Sequence, residues 1–347
     1  IIQEENNETL REVIPNGFYY VTGAPSTGMV ISDKFGDDDN NSKGGNQFVW
    51  VPCKGNGAVN YEKTSDDSLE KKFGLAAGWT KYNSHEYYYN DYKDWTDYGG
   101  DLNSVNTYGG FYVARYEAGV PSNALFYADK DGDKYYVDEK NTTEYKPVSK
   151  KNNQVWNYVY QNTAKILSEK MYEGNKTVTS QLIDSYAWDT IVNWMEADVS
   201  GIGNDSTGYG NYANNSIKFL NSLYAVHQYS NDWINALTYK KGSSTSSNRT
   251  ELATGVTIST DCTTKNNVKN IYDMAGNIWE WTTEVGNHNS TQMLLEENQI
   301  QSAKYAVLRG GSFDYSGKNG PIAVRNGNHL ISNDYCVNFG FRVVLYI

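Results

Sequence analysis

Two stretches of this 347-residue chain carry a helical stripe, and both lie near its middle. Trp156, Val159, Tyr160, Ile166, Leu167 and Met171 follow spacings of three and four, as do Ile183, Ala187, Trp188, Ile191 and Met195, so each segment presents one apolar face. Ser180 stands where the second helix needs an N-cap. Elsewhere the apolar runs are short and rich in aromatic and β-branched residues: Gly17–Val21 after the turn signal Pro15-Asn16-Gly17, Gln47–Val51, Gly109–Glu117, Ile278–Thr282, Ala306–Leu308 and Phe339–Ile347. Helices do not alternate with strands and no repeat has a fixed period. The expectation is one α+β domain over residues 15–347 behind an N-terminal extension, 1–14.

The intervening segments are polar. Ser32–Gly45 reads as a solvated loop, Ser200–Gly255 as a long, partly irregular excursion around an apolar patch at Ile217–Val226, and Tyr82–Tyr98 is a tyrosine-rich tract. That tract is either an aromatic binding surface or a loop whose rings fold back onto the domain.

With 30 Tyr, 9 Trp and 10 Phe the chain has the aromatic area for a large core, which excludes disorder. Its 41 acidic and 30 basic side chains give a net charge of -11, which repels a phosphate backbone and argues against nucleic acid as a partner. No run approaches the ~18 apolar residues of a membrane-spanning helix. The start at Ile1, without a charged leader or initiator Met, points to a processed or trimmed chain. Cys53, Cys262 and Cys336 neither close a disulfide framework nor form a close metal-binding pair. The excess of Asn, Ser, Thr and Tyr over Lys and Glu favours an extracellular or cell-surface location, a phage particle included.

The last 80 residues bring together Asn270-Ile271-Tyr272-Asp273-Met274-Ala275-Gly276-Asn277-Ile278-Trp279-Glu280-Trp281-Thr282, then Leu308-Arg309-Gly310-Gly311-Ser312-Phe313, then Gly340-Phe341-Arg342. This order resembles the formylglycine-generating-enzyme-like (sulfatase-modifying factor) family of C-type-lectin-like domains. Upstream, Gly110–Glu117 resembles that family's first core strand. The resemblance implies a C-type-lectin-like α+β fold with two helices, short strands and long loop insertions. It says little about function, since one fold hosts unrelated sites. In physical terms the glycines permit turns or close backbone approach, while Trp279, Trp281 and Phe341 supply core area. Arg309 and Arg342 are either exposed or paired with Glu280.

The family's oxidases use two cysteines five residues apart as soft copper ligands. At roughly those places this chain has Gly317 and Ile322, and neither donates sulfur. Its four histidines, His85, His227, His288 and His329, are scattered, so the iron triad of the related sulfoxide synthases is missing too. No copper or iron is therefore expected, and no catalytic residue. The family's calcium loop resembles Asp273–Glu280. There the carboxylates of Asp273 and Glu280 and the carbonyls of Gly276 and Ile278 would be hard oxygen ligands for a structural calcium, with Asp273 replacing the family's usual Asn. The alternative is that Asp273 caps a turn and Glu280 pairs with an arginine. A second acidic string, Asp129-Lys130-Asp131-Gly132-Asp133, is a solvated turn, because Lys134 and Lys140 occupy the positions of the loop's glycine and bidentate glutamate.

A subset of this fold consists of variable proteins of diversity-generating retroelements, in which adenine-directed mutagenesis rewrites Asn codons near the C-terminus between fixed blocks, and the layout of this chain resembles theirs. Randomising the first two bases of an Asn codon never yields Lys, Glu, Gln, Trp or Met. All thirteen residues from Asn326 to Asn338 obey that restriction. The run also lacks helix or strand periodicity, and apolar groups displayed in a loop are kept where a ligand covers them. The chain thus reads as a non-catalytic adhesion or ligand-binding protein with a variable segment at 313–338. Its binding residues would be Asp314, Tyr315, Asn326, Asn328, His329, Leu330, Ile331, Asn333, Asp334, Tyr335, Val337 and Asn338, facing a protein or glycan on another cell or phage surface. A formylglycine-generating-type oxidase and a calcium-dependent carbohydrate-binding lectin are the alternatives.

Overall fold

The computed structural model describes residues 13–39, 43–53, 92–97, 101–122, 127–128, 134–135, 145–218, 225–227, 233–235, 251–253, 257–258, 266–288, 304–330 and 336–347. Most of the tyrosine tract, the acidic string at 129–133 and Cys262 fall outside these residues.

Eleven strands and three helices among the described residues carry the architecture. The strands are β1 (Tyr19–Thr22), β2 (Val30–Ser32), β3 (Gln47–Pro52), β4 (Tyr92–Asp97), β5 (Gly110–Ala114), β6 (Thr179–Leu182), β7 (Trp279–His288), β8 (Lys304–Arg309), β9 (Arg325–Leu330), β10 (Phe339–Phe341) and β11 (Val343–Tyr346). The helices are α1 (Leu102–Tyr108), α2 (Gln161–Lys170) and α3 (Ser185–Glu196). One sheet is antiparallel in the order β1-β2-β3-β5-β11-β6. The other has the order β9-β8-β7-β10, with β4 antiparallel on β7 and β10 parallel to it. The expected α+β class is what the chain adopts.

The central strands of the first sheet are apolar at nearly every position because both faces are covered. Phe48, Trp50, Tyr112, Ala114, Val343 and Leu345 enter one core, while Val49, Val51, Phe111, Val113, Val344 and Tyr346 enter the other. Alternation of side chains across a strand thus divides one continuous apolar run between two cores. The first core is closed by α2 and by Trp279, Trp281, Leu308, Phe339 and Phe341 of the second sheet. The second is closed by α3 through Ala187, Trp188, Ile191 and Val192.

Several boundaries depart from the sequence expectation. The first of the two expected helices, α2, begins at Gln161 instead of near Trp156, because Tyr158 adopts φ +52 and its N–H bonds the Cys336 carbonyl at 3.1 Å, and α1 was not expected. Ser180 is not a cap: it lies in β6, and Asp184 caps α3 by accepting the Ala187 N–H at 2.7 Å. Ser32–Gly45 is less solvated than its composition suggests. Asp37 is buried there and accepts from Ser32 Oγ at 2.8 Å, Gln47 Nε2 at 3.0 Å and the Lys43 N–H at 2.5 Å. The C-terminal run is split between the two sheets at Arg342.

Asp184 is wholly buried and also accepts from Tyr346 Oη at 2.7 Å. Burial outweighs these hydrogen bonds and pushes its pKa from 3.8 up to about 6. A carboxyl whose folded pKa is raised contributes stability that is fully present below its unfolded value and is lost as pH rises through the folded one. Asp184→Asn keeps a capping acceptor but cannot ionise. Relative to wild type, the variant is therefore expected to gain stability between about pH 4 and about pH 7 in denaturant melts. Equal pH slopes for the two proteins would show that Asp184 titrates alike in both states.

Candidate ligand-binding face and the loop beneath it

The candidate face is built on buried charge. Arg309, at the end of β8, pairs with Asp189 of α3, and its Nε and Nη2 donate to the carbonyls of Val324 at 2.9 Å and Ala323 at 3.0 Å. Arg325 opens β9 and reaches the other oxygen of Asp189 at 2.5 Å and Glu284 of β7 at 3.1 Å. One aspartate thus fixes both ends of the 309–325 excursion to α3. Arg309 therefore pairs with Asp189, not with Glu280. Burial lowers the Arg309 pKa, against the attraction of Asp189.

Within the excursion, Gly311 has φ +77, and a Cβ there would stand 2.0 Å from the Gly320 carbonyl oxygen. This close approach closes the loop that carries Asp314 and Tyr315. Asp314 is exposed and held from below, accepting from Ser312 Oγ and, at 3.2 Å to each oxygen, from Asn338 Nδ2. The Tyr315 ring is half-buried with its edge on Trp279, centroids 5.3 Å apart. A loop from the 200–215 region flanks this face: the Ala213 N–H bonds the Tyr315 carbonyl at 2.7 Å, and Asn214 Oδ1 accepts the Gly317 N–H at 3.2 Å.

The remaining expected face residues divide into three groups. Asn328, His329 and Leu330 lie in β9, with His329 opposite Ala306 and Leu330 opposite Tyr305, so this stretch of the run is a strand and not the irregular segment its lack of periodicity suggested. Ile331, Asn333, Asp334 and Tyr335 lie outside the described residues. Asn326, Val337 and Asn338 are buried, which corrects the expectation that they are displayed. Val337 packs with Tyr158 and Phe313, and the Asn157 Nδ2 donates to its carbonyl at 2.8 Å. Asn338 is turned inward to Asp314. The alphabet of permitted residues carries no information about which of them face solvent.

The positions corresponding to the oxidases' cysteines are part of the scaffold. A Cβ on Gly317 would lie 2.2 Å from the Thr207 backbone nitrogen. Ile322 is buried, its N–H bonded to Ser206 Oγ and its carbonyl to Trp188 Nε1, each at 2.8 Å. Cys53 is buried, its Sγ 3.5 Å from the Val51 carbonyl oxygen, and Cys336 is half-buried against the Tyr158, Phe313 and Val337 cluster.

Beneath the face runs the 273–280 loop. Gly276, at φ +73, brings its backbone against Asn211, where a Cβ would stand 2.5 Å from the carbonyl oxygen. Glu280 is wholly buried, and both its oxygens accept from Arg342, the shortest contact being 2.6 Å. Asp273, also buried, accepts Asn266 Nδ2 at 2.5 Å. Sequence reasoning passed over Glu117, which follows β5: its Oε2 accepts Asn277 Nδ2 at 2.6 Å. Burial first, then the charges of Asp273 and Glu280, push the Glu117 pKa well above the ordinary carboxylate range. A carboxylate three residues beyond the apolar strand Gly110–Ala114 was the available signal. Among the described residues no three His, Cys, Asp or Glu side chains converge to hold an ion by themselves, so any cation would draw further oxygens from amides and carbonyls.

Two sheets, a helix closing each core and a C-terminal excursion pinned by arginines make up a mixed α+β fold. The profile of the sulfatase-modifying factor enzyme 1-like domain matches residues 164–347, just over half of the chain, and the chain belongs to that family. No curated protein matches it. Among solved structures it is similar to CarF, at 13% identity and a TM-score of 0.34, with 74% of this chain and 95% of that one covered. It is similar also to Treponema denticola variable protein 1, at 13% identity and a TM-score of 0.31, with coverage of 74% and 100%.

Removing the shared carboxylate with Asp189→Ala takes the salt-bridge partner from buried Arg309 and leaves Arg325 with Glu284, and should cost about 3–5 kcal/mol in a denaturant melt. A loss below about 1 kcal/mol would mean that water reaches both arginines. Within the face, Val337→Ala should cost about 1.5–3 kcal/mol and Tyr315→Ala at least the ~0.5–1.5 kcal/mol of its ring pair. Exposed Lys318→Ala should stay within ~0.5 kcal/mol of wild type. Thermal melts rank the three, and a neutral Val337→Ala would contradict its place in the core.

Proposed function

We propose that this chain is a non-catalytic ligand-binding protein, secreted or displayed on a surface, whose C-terminal binding face is diversified by a retroelement. The observation that carries this reading is the restricted alphabet of residues 326–338, bounded by buried Arg325 on one side and the buried Phe339–Arg342 block on the other. Fixed anchors allow the side chains between them to change while the chain keeps its path. Asp314 and Tyr315 add an acceptor and an aromatic ring on a rigid loop, the chemistry that loop paratopes use against macromolecules. Asn326, Val337 and Asn338 are supports in this scheme, and contact with the ligand falls to Asp314, Tyr315 and residues 328–335. The partner is a protein or glycan at another cell or phage surface.

The family also contains oxidases, and the packing around Gly317 and Ile322 favours binding over that activity. Cysteine introduced at 317 would meet the Thr207 backbone, so a thiolate pair could form only if the 206–207 turn moved.

The reading is tested by sequencing the coding segment from many independent isolates of the host. Substitutions are expected at adenine-containing codons for residues 328–335, with Arg325 and Gly340–Arg342 unchanged. Variation spread evenly through the last 80 codons, or none at all, would sink the retroelement reading. Copper-dependent conversion of a cysteine peptide to an aldehyde would overturn the non-catalytic one.

A further inference from the structure

Asp314 is an exposed carboxylate held by two buried donors. Ser312, 0% exposed, gives its hydroxyl to Oδ1, and Asn338, 7% exposed, gives Nδ2 to both oxygens at 3.2 Å. The Tyr315 N–H bonds the Ser312 carbonyl at 3.1 Å, so the residue sits on a closed turn, and the approach of Gly311 to Gly320 draws the rest of the loop together. A surface side chain ordinarily loses rotamer freedom when a ligand arrives. Here the orientation is set beforehand, which is the condition that favours binding.

The carboxylate has no cation of its own. Among the described residues no lysine, arginine or histidine pairs with Asp314, although Lys318 is exposed on the same loop. Each carboxylate oxygen carries two lone pairs. Ser312 and Asn338 take both of Oδ1 and one of Oδ2, which leaves one on Oδ2 for a donor from outside. A charged donor makes a bond about twice as strong as a neutral one. The field of a chain with 41 acidic and 30 basic side chains also draws a basic partner and repels an anionic one, a sialylated glycan included. Tyr315 adds a half-buried ring at the next position. Of the two cationic side chains, a guanidinium can donate in its plane to a carboxylate while its face lies on a ring, whereas an ammonium is a more strongly hydrated point charge.

We propose that Asp314 is the specificity-determining residue of this face and receives an arginine side chain of a protein partner, with the Tyr315 ring stacked on the guanidinium. The inference rests on the binding-face reading and narrows its partner from a protein or glycan to a protein that displays an arginine.

The test selects peptides from a random phage-displayed library on the whole chain, after depletion on the Asp314→Asn/Tyr315→Ala double variant. The survivors are expected to share an arginine and to bind less tightly as salt is added. Changing that arginine to lysine should weaken them about tenfold, and Asp314→Asn about tenfold or more. Asp314→Glu keeps the charge but is one methylene too long for the Ser312 and Asn338 donors, so it should weaken them as well. Thermal melts identify which variants are folded, and if the Asn variant is not, the Glu variant decides. Survivors without a common arginine, or wild-type affinity in either folded Asp314 variant, would overturn the proposal. So would a library with no survivors. In that case a glycan array read with wild type and Tyr315→Ala separates the two readings: a glycan that binds only wild type removes the arginine partner and keeps the binding face, while none removes both.

Discussion

The Arg342 guanidinium stands where the two sheets and the 273–280 loop meet. It holds Glu280 of β7, the Ala114 carbonyl of β5 and the Tyr272 carbonyl, and it is itself wholly buried. At this residue the chain leaves β10 of one sheet and enters β11 of the other. A planar group with five fixed donors can serve three elements at once, which a lysine could not do. Because the pair is buried, losing either member strands the other, so the interaction specifies this arrangement more than it adds net stability.

Asp189 has a similar role at the second core, on α3. It receives Arg309 and Arg325 from either end of the excursion that carries Asp314 and Tyr315, so the position of α3 sets the geometry of the face. The proposed diversification would need this combination, because side chains presented to a ligand can vary only if the backbone path does not depend on them. The arginine bonds that pin the two ends of the excursion run to backbone carbonyls and to residues of α3 and β7, outside the 326–338 run. Asn326, Val337 and Asn338, inside that run yet buried, are where the two requirements collide.

The glycine, tryptophan and arginine blocks were legible because each has a local physical signature: a backbone that must pass close to another, a ring too large for the surface, a charge in an apolar context. The α2 and α3 stripes were legible from periodicity. Their starts were not, since Tyr158 takes a left-handed conformation to meet the Cys336 carbonyl and Asp184 is chosen as cap by its contact with Tyr346, both long-range partners. The same limit hid β9 and β6. Their side chains carry no period-two pattern, and they are strands because β8 and β11 offer them hydrogen bonds.

By itself, then, the sequence determined the α+β class and the absence of a close cysteine pair, which follow from patterning and spacing along the chain, and the family, which follows from the resemblance of the C-terminal blocks. Only the tertiary structure decided that Arg309 answers Asp189 while Arg342 answers Glu280, that Asn326, Val337 and Asn338 point inward, and that Glu117 stands beside Asp273. Each of these depends on which residues, often more than a hundred positions apart, share a desolvated space. Spacing along the chain holds no record of that, because the cost of burying a charge or an amide is settled only by what lies next to it once the sheets have closed.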